Sequence, residues 1–451
     1  MADPVTLEAH ALDLLIQLIR IDTTNPPGGE RPAAELCARE FAAAGIPAEL
    51  LEMAPYRTNV VARLAGTGGG APLLLAAHLD VVPAAMKDGW KHHPFAAVID
   101  NGYLFGRGTI DMKNMAAMSV ATMCAIARAG IRPRRDIIFA GVADEEVGCD
   151  HGSKFLVEQH PDKVRAEYCL GEVGGFSVNM PGSDRTLYPI QIAEKGICWF
   201  VLRARGTAGH GSIPREDNAP ARLGAAVARL GRTRLPHRVT PVVERYVAEL
   251  ARAQSRVRGT VLKGLLSPRL ANYVLKALPN ASMRRVFQAV LANTVSPTVL
   301  RAGSKTNVIP ATAEAEFDGR TLPGQTAQDL IREVRAALGP EFADLEIEIL
   351  REHGPSVTEP HASPLFDAIG ATLKQHDPQA TPIPYMIPGF TDASQWNRLG
   401  IRCYGFSPVR FDAKDDVQFG DLYHGVNERI SVDGFKWGAR VLHDLVKSFC
   451  A

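Results

Sequence analysis

The stretch Pro72-Leu73-Leu74-Leu75-Ala76-Ala77-His78-Leu79-Asp80 decides the fold. Its apolar run shows no alternation with polar residues, the pattern of a strand buried on both faces, and it ends in an imidazole and a carboxylate. Two more runs repeat the design: Asp136 to Val142 leads into Asp144-Glu145-Glu146, and Tyr168 to Gly171 leads into Glu172. An apolar helix predicted over 114–129, closed by Gly130, separates the first two strands. Strands alternating with helices give an α/β class with a doubly wound sheet. In such sheets ligands bind beyond the carboxyl ends of the strands, so the polar residues converge on one crevice.

Outward from this centre, helical spacing covers Leu7 to Ile19 and 32–44, with a Pro26-Pro27-Gly28-Gly29 turn between. The pattern changes near Tyr188. Half-buried strands over 191–205, 313–317 and 345–350 alternate with helices over 219–230 and 326–338, the order of a smaller α+β (ferredoxin-like) unit. Buried-strand character returns at Ile401 to Phe406, and Val432 to Phe449 is a closing helix. The expected organisation is therefore a catalytic domain in two parts, 1–188 and 355–451, with a lid and dimerisation domain inserted at 189–354.

With 451 residues, 46% apolar and 22% charged, the chain is an ordinary folded protein, and its net charge of +1 points to neither nucleic acid nor membrane as a whole. The charge is uneven. Arg229 to Arg285 holds thirteen Lys/Arg against two acids, +11, which leaves −10 for the rest. This basic helical insertion, 232–296, is read as packed helices with a solvated cationic rim; membrane contact through it is the less favoured reading. Seven scattered cysteines without a C-x-x-C pair exclude a disulfide framework and a thiolate zinc site. No apolar run approaches the length of a membrane span, no signal-like start is present, and a cytoplasmic location is expected.

Carboxylates at the ends of buried strands repel one another unless a cation sits among them. One His per ion with several carboxylates and no Cys suits zinc, cobalt or manganese, and a shared carboxylate suits a pair of ions. His78 and Asp80, two apart on extended chain, share a side, so Asp80 can orient the His78 ring. Glu145 and Glu146 point opposite ways, which leaves one free as a base.

The ordered segments HLDVVP (78–83), GRGTIDMK (106–113), ADEEVG (143–148), GEVGG (171–175), GTAGHGS (206–212), NVIP (307–310), PGFTDA (388–393) and HGVNE (424–428) run through nearly the whole chain. With them the sequence resembles the zinc-dependent amidohydrolase and peptidase family of acetylornithine deacetylase, succinyl-diaminopimelate desuccinylase, aminoacylase and carboxypeptidase G2. The long insertion and the EVGG around Glu172 resemble its carboxypeptidase S and N-acyl-amino-acid hydrolase branch. The resemblance implies two zinc ions per subunit bridged by Asp111, with His78 and Glu172 on one and Glu146 and His424 on the other. It implies Glu145 as general base for a metal-bridged hydroxide, Asp80 as the residue orienting His78, and His210 as the oxyanion group, often from the partner subunit. Asn307, Arg320 and the Gly389 backbone would hold the substrate carboxylate.

The expected activity is hydrolysis of an N-acyl amino acid or a C-terminal peptide bond by a homodimer. The alternatives are a small-substrate deacetylase or desuccinylase, and a non-catalytic zinc-dependent carboxylate-binding protein, which the presence of Glu145 opposes. His92 and His93 are read as loop packing.

Overall fold

The structure, a computed structural model, describes residues 6–179, 183–278, 281–359, 361–411 and 422–451. Residues 279–280 of the basic insertion, and 360 and 412–421 of the C-terminal segment, lie outside it.

The chain forms a mixed α/β fold. The main sheet runs in the order Ala48–Ala54, Arg57–Leu64, Arg135–Val142, Gly70–His78, Tyr168–Gly171, Arg402–Gly405, Thr186–Glu194, Ala380–Ile387, with Val178–Asn179 paired to Thr186–Glu194. Its centre is parallel, because Gly70–His78 pairs in parallel with both Arg135–Val142 and Tyr168–Gly171. The unbroken apolar run at its heart has a direct cause. Leu73, Leu75 and Ala77 face one core, under the helices Leu7–Arg20, Lys113–Arg128 and Val432–Cys450, while Leu74 and Ala76 face a second core with Phe155, Leu156 and Trp396. Both faces are covered, so neither tolerates a polar residue until the strand ends.

The second sheet has the order Thr294–Ala302, Thr312–Thr321, Gly196–Arg205, Glu346–His353, with helices Ala219–Arg232 and Ala327–Leu338 on one face. This is a split β-α-β-β-α-β arrangement, one strand richer than the periodicity alone gives. Strand Thr186–Glu194 belongs to the main sheet and is buried along its whole length. The chain therefore changes sheets at Lys195, later than position 189. Polar Gln191 and Glu194 disguise that strand; both are buried, with Gln191 donating to Glu194 Oε2 at 3.1 Å and Thr391 donating to the same oxygen at 2.6 Å, while Glu194 Oε1 has no partner among the described residues.

The basic insertion folds into helices Pro241–Arg252, Arg256–Lys263, Ala271–Ala277 and Ala281–Val290. Their inner residues Val242, Val247, Leu265, Leu275 and Phe287 join the main core, and Tyr246 packs on Tyr385 of the main-sheet strand Ala380–Ile387, ring centroids 5.2 Å apart. The insertion thus leans on the main sheet, although in sequence it interrupts the small unit. Among the described residues no helix is long and apolar enough to cross a membrane, and all seven cysteines are free and buried.

Lys195 ties the seam. Its backbone N–H donates to Gly389 O at 3.1 Å, and its fully buried ammonium donates to Ala289 O, Ala292 O and Thr294 Oγ1, each at 2.9 Å. Burial, with Arg320 nearby, lowers its pKa to about 7. The unfolded lysine titrates near 10.4, so between these values the unfolded chain binds the extra proton and this group's contribution to stability rises with pH. Unfolding of wild type and Lys195→Met in urea, compared from pH 7 to 10, is expected to show wild type gaining relative to the variant as pH rises.

Candidate metal centre

The three strand ends converge as their sequence requires. His78 closes its strand, and its ring Nε2 lies 2.9 Å from Asp111, 3.7 Å from Glu172 and 4.0 Å from Glu145. His424 Nε2 lies 3.0 Å from the other oxygen of Asp111 and 3.1 Å from Glu146. Asp111 is thus central, one oxygen toward each imidazole. The atoms of His78, Asp111 and Glu146, and those of His78, Glu145 and Glu172, are each close enough together to hold an ion.

Burial of these acids is the dominant electrostatic fact. It raises Glu145 far above the usual carboxylate range, with Glu172 adding to the shift, and it lifts Glu146 and Glu172 to about 7. At Asp111 burial also works upward, but the hydrogen bonds from His424 and His78 outweigh it and hold the group well below its ordinary value. Glu146 Oε1 and Glu172 Oε1 are buried with no hydrogen-bond partner. Such orphaned carboxylate oxygens cost free energy unless a cation takes them, so the residues present fit a pair of divalent ions.

The neighbours of the cluster hold it in shape. Asp80 acts on His78 through its backbone: the ring Nδ1 meets the Asp80 carbonyl at 2.9 Å, whereas the carboxylate stands 3.6 Å away. The Asp80 carboxylate accepts from the backbone N–H groups of Glu145 and Glu146, both at 3.2 Å, and from Asn25 Nδ2 at 2.8 Å. It therefore fixes the short turn Glu145–Val147. Glu145 and Glu146 both turn toward the cluster, one to each group, because that turn replaces the extended chain on which they would point apart. Behind it, Arg57 pairs with Asp144 at 2.7 Å and Glu30 at 3.0 Å.

A second clamp holds Asp111. Buried Glu428 accepts from Ile110 N at 2.7 Å, Gly108 N at 3.1 Å and Asp111 N at 3.2 Å, and pairs with Arg107 Nη1 at 2.6 Å. Arg107 also donates to the carbonyl of His424 at 3.3 Å. One buried ion pair thus joins the Asp111 loop to the His424 loop. Of these supporting residues the sequence reading named only Asp80 in a role; Glu428 lay in view inside HGVNE, and Arg107 inside GRGTIDMK.

Other expected residues lie elsewhere. Exposed His210 pairs with Val308 in a two-stranded ribbon, and Asn307 O accepts from Gly211 N at 2.9 Å, so these two meet. Among the described residues neither bonds to the metal cluster. Arg320 is engaged by its strand neighbour Asp318, through Nε at 2.7 Å and Nη2 at 3.1 Å. Gly389 sits beside the Lys195 seam. His92 packs edge-on against Phe105 and pairs with Asp100.

Residues 74–448, most of the chain, match the peptidase family M20/M25/M40. The chain belongs to this peptidase family. Probable carboxypeptidase S-like 2 of Dictyostelium discoideum is 27% identical over 386 residues, 84% of this chain and 71% of that protein. N-fatty-acyl-amino acid synthase/hydrolase PM20D1 of Xenopus tropicalis is 29% identical over 375 residues, 81% of this chain and 70% of that one. Among solved structures, the M20 family metallo-carboxypeptidase Sso-CP2 from Sulfolobus solfataricus superposes with a TM-score of 0.73 at 18% identity, covering 97% of this chain and 99% of that one. As an M20 member the protein is a metal-dependent hydrolase.

Filling the cluster with divalent cations is expected to raise the melting temperature, and chelation to lower it, since each ion binds the folded state alone. Glu428→Ala is expected to weaken cation affinity about 10–100-fold by calorimetric titration, because both loops lose their clamp.

Proposed function

We propose that the protein is a two-zinc hydrolase that cleaves the amide bond of an N-acyl amino acid, or a C-terminal peptide bond, in a substrate with a free carboxylate. The observation that supports this is the clustering of His78 with Asp111 and Glu146, and of His78 with Glu145 and Glu172, with His424 at 3.0 Å from Asp111 and 3.1 Å from Glu146. Zinc suits the donor set, and cobalt or manganese share it. Such ions, when bound, acidify water and polarise a carbonyl.

The chain's own residues do the rest. Asp111 holds the two sites at a fixed separation, and Asp80 aims Glu145 through its backbone N–H. Glu145 takes the proton from the attacking water and returns it to the leaving amine. Arg320 exchanges Asp318 for the substrate carboxylate, beside Asn307 and the Gly389 backbone.

His210 completes the site from a partner subunit, meeting the developing oxyanion when the small unit closes as a lid. Two features support this homodimer. The ribbon bearing His210 makes no bond to its own chain's cluster among the described residues. Strand Thr294–Ala302 is the edge of the small sheet and is largely exposed, with Leu300 64% accessible, so its backbone is open to pairing.

Activity on a panel of N-acyl amino acids is expected to vanish with chelator, and Glu145→Gln is expected to lose about 10²–10⁴-fold in kcat with cation binding retained. Chelator-insensitive cleavage would exclude the mechanism. Arg320→Ala is expected to raise KM more than it lowers kcat. Leu300→Lys is expected to shift the protein toward monomer in analytical ultracentrifugation and to lower activity with it.

A further inference from the structure

No aspartate or glutamate occurs between Glu249 and Glu314, a run of 64 residues carrying ten Lys/Arg. Most of these cations lie on the insertion helices, whose inner faces are already satisfied by the main core. What their outer faces carry is therefore surplus to folding.

The outer faces are apolar as well as cationic. In helix Arg256–Lys263, Gly259 and Leu262 point inward; a Cβ on Gly259 would stand 2.5 Å from Ala251 O, so the helix lies against its neighbour there. Val257 and Val261, one turn apart, are left outside, 76% and 49% accessible. Gly264, next in the chain, lies against Leu270, which with Tyr273 is also outward, 53% and 75% accessible. Four of the large exposed apolar residues thus fall within seventeen positions. Interleaved with them in the sequence, Arg256, Lys263, Arg269 and Lys276 are exposed and form no salt bridge among the described residues.

We propose that this face, Val257, Val261, Leu270 and Tyr273 ringed by Arg256, Lys263, Arg269 and Lys276, docks the protein on an anionic lipid surface. Apolar side chains that enter the interface while cations meet headgroups are the two requirements of peripheral lipid binding. A second copy of the same face would set cation against cation. Nucleic acid would match the charge but would leave two valines and a leucine pressed on a polar backbone. The proposal does not depend on the catalytic reading.

The full-length protein is to be sedimented with vesicles of phosphatidylcholine alone and of equal parts phosphatidylcholine and phosphatidylserine. Binding to the anionic vesicles only, weakening with salt, is expected. The quadruple change Arg256→Gln, Lys263→Gln, Arg269→Gln, Lys276→Gln should lose about 600-fold in affinity, at about fivefold per cation, with its melting temperature unchanged. The pair Arg256→Lys, Arg269→Lys should keep binding, and Val257→Ser with Tyr273→Ser should weaken what persists at high salt. Equal binding to both vesicles, no binding to either, an unaffected quadruple variant, or tighter binding to duplex DNA than to the anionic vesicles would overturn the proposal.

Discussion

Five carboxylates sharing one crevice with two imidazoles is the constraint on which the structure turns. Two like charges 4 Å apart repel by about 4 kcal/mol at the effective dielectric of a protein. Asp80, Asp111, Glu145 and Glu172 are all buried, and the Glu146 side chain is nearly so. The same carboxylates act on the two imidazoles, pushing His78 well above its ordinary pKa and His424 up to about 10 against the opposing effect of burial. The unpaired oxygens of Glu146 and Glu172 show that two imidazoles do not satisfy the whole set. The fold must therefore hold the acids together against their own repulsion until cations replace the protons.

It does so with two buried arginines, each behind a different loop. Arg57 anchors Asp144 and Glu30 behind the Glu145 turn, and Arg107 anchors Glu428 behind the Asp111 loop. Neither arginine contacts the candidate ligands with its side chain at the ion positions; each neutralises a carboxylate that in turn organises backbone N–H groups. This division keeps the cationic side chains out of the space the metals need while lending the site their charge, an arrangement common around metal-binding carboxylates.

What the sequence disclosed follows from the range of the interactions. The strands ending at His78, Asp144 and Glu172 were legible because burial on both faces removes alternation, and because a ligand can follow only where burial stops. The supports were not legible. Asn25 reaches Asp80 and Asp144 across 55 and 119 residues, and Glu428 reaches Ile110 across 318, separations at which no local pattern exists. Strand Thr186–Glu194 is hidden for another reason: Gln191 and Glu194 look like the polar half of an alternating strand, yet both are buried inside the sheet, where Gln191 donates to Glu194. The supporting role of Asp80 was legible, but the part of the residue that serves His78 was not, since a carbonyl leaves no mark in the sequence.

The insertion alters how the two sheets can move. A small unit joined to the main sheet only at Lys195 and near Pro355 would swing freely. Here helices that begin and end in the small unit pack instead on the main-sheet edge, through Tyr246 on Tyr385, and on the segment leading back to the main sheet, through Arg245 on Glu359 at 3.1 Å. They return to the small unit where Asn293 donates to Glu333 of helix Ala327–Leu338 at 2.9 Å and Arg238 meets the same carboxylate at 2.6 Å. Any closure of the small unit must then shear these contacts or carry the helices with it. Because Lys195 binds the last turn of the insertion and the Gly389 backbone from one position, the seam that would act as a hinge is also the point where insertion, main sheet and small sheet are fastened together.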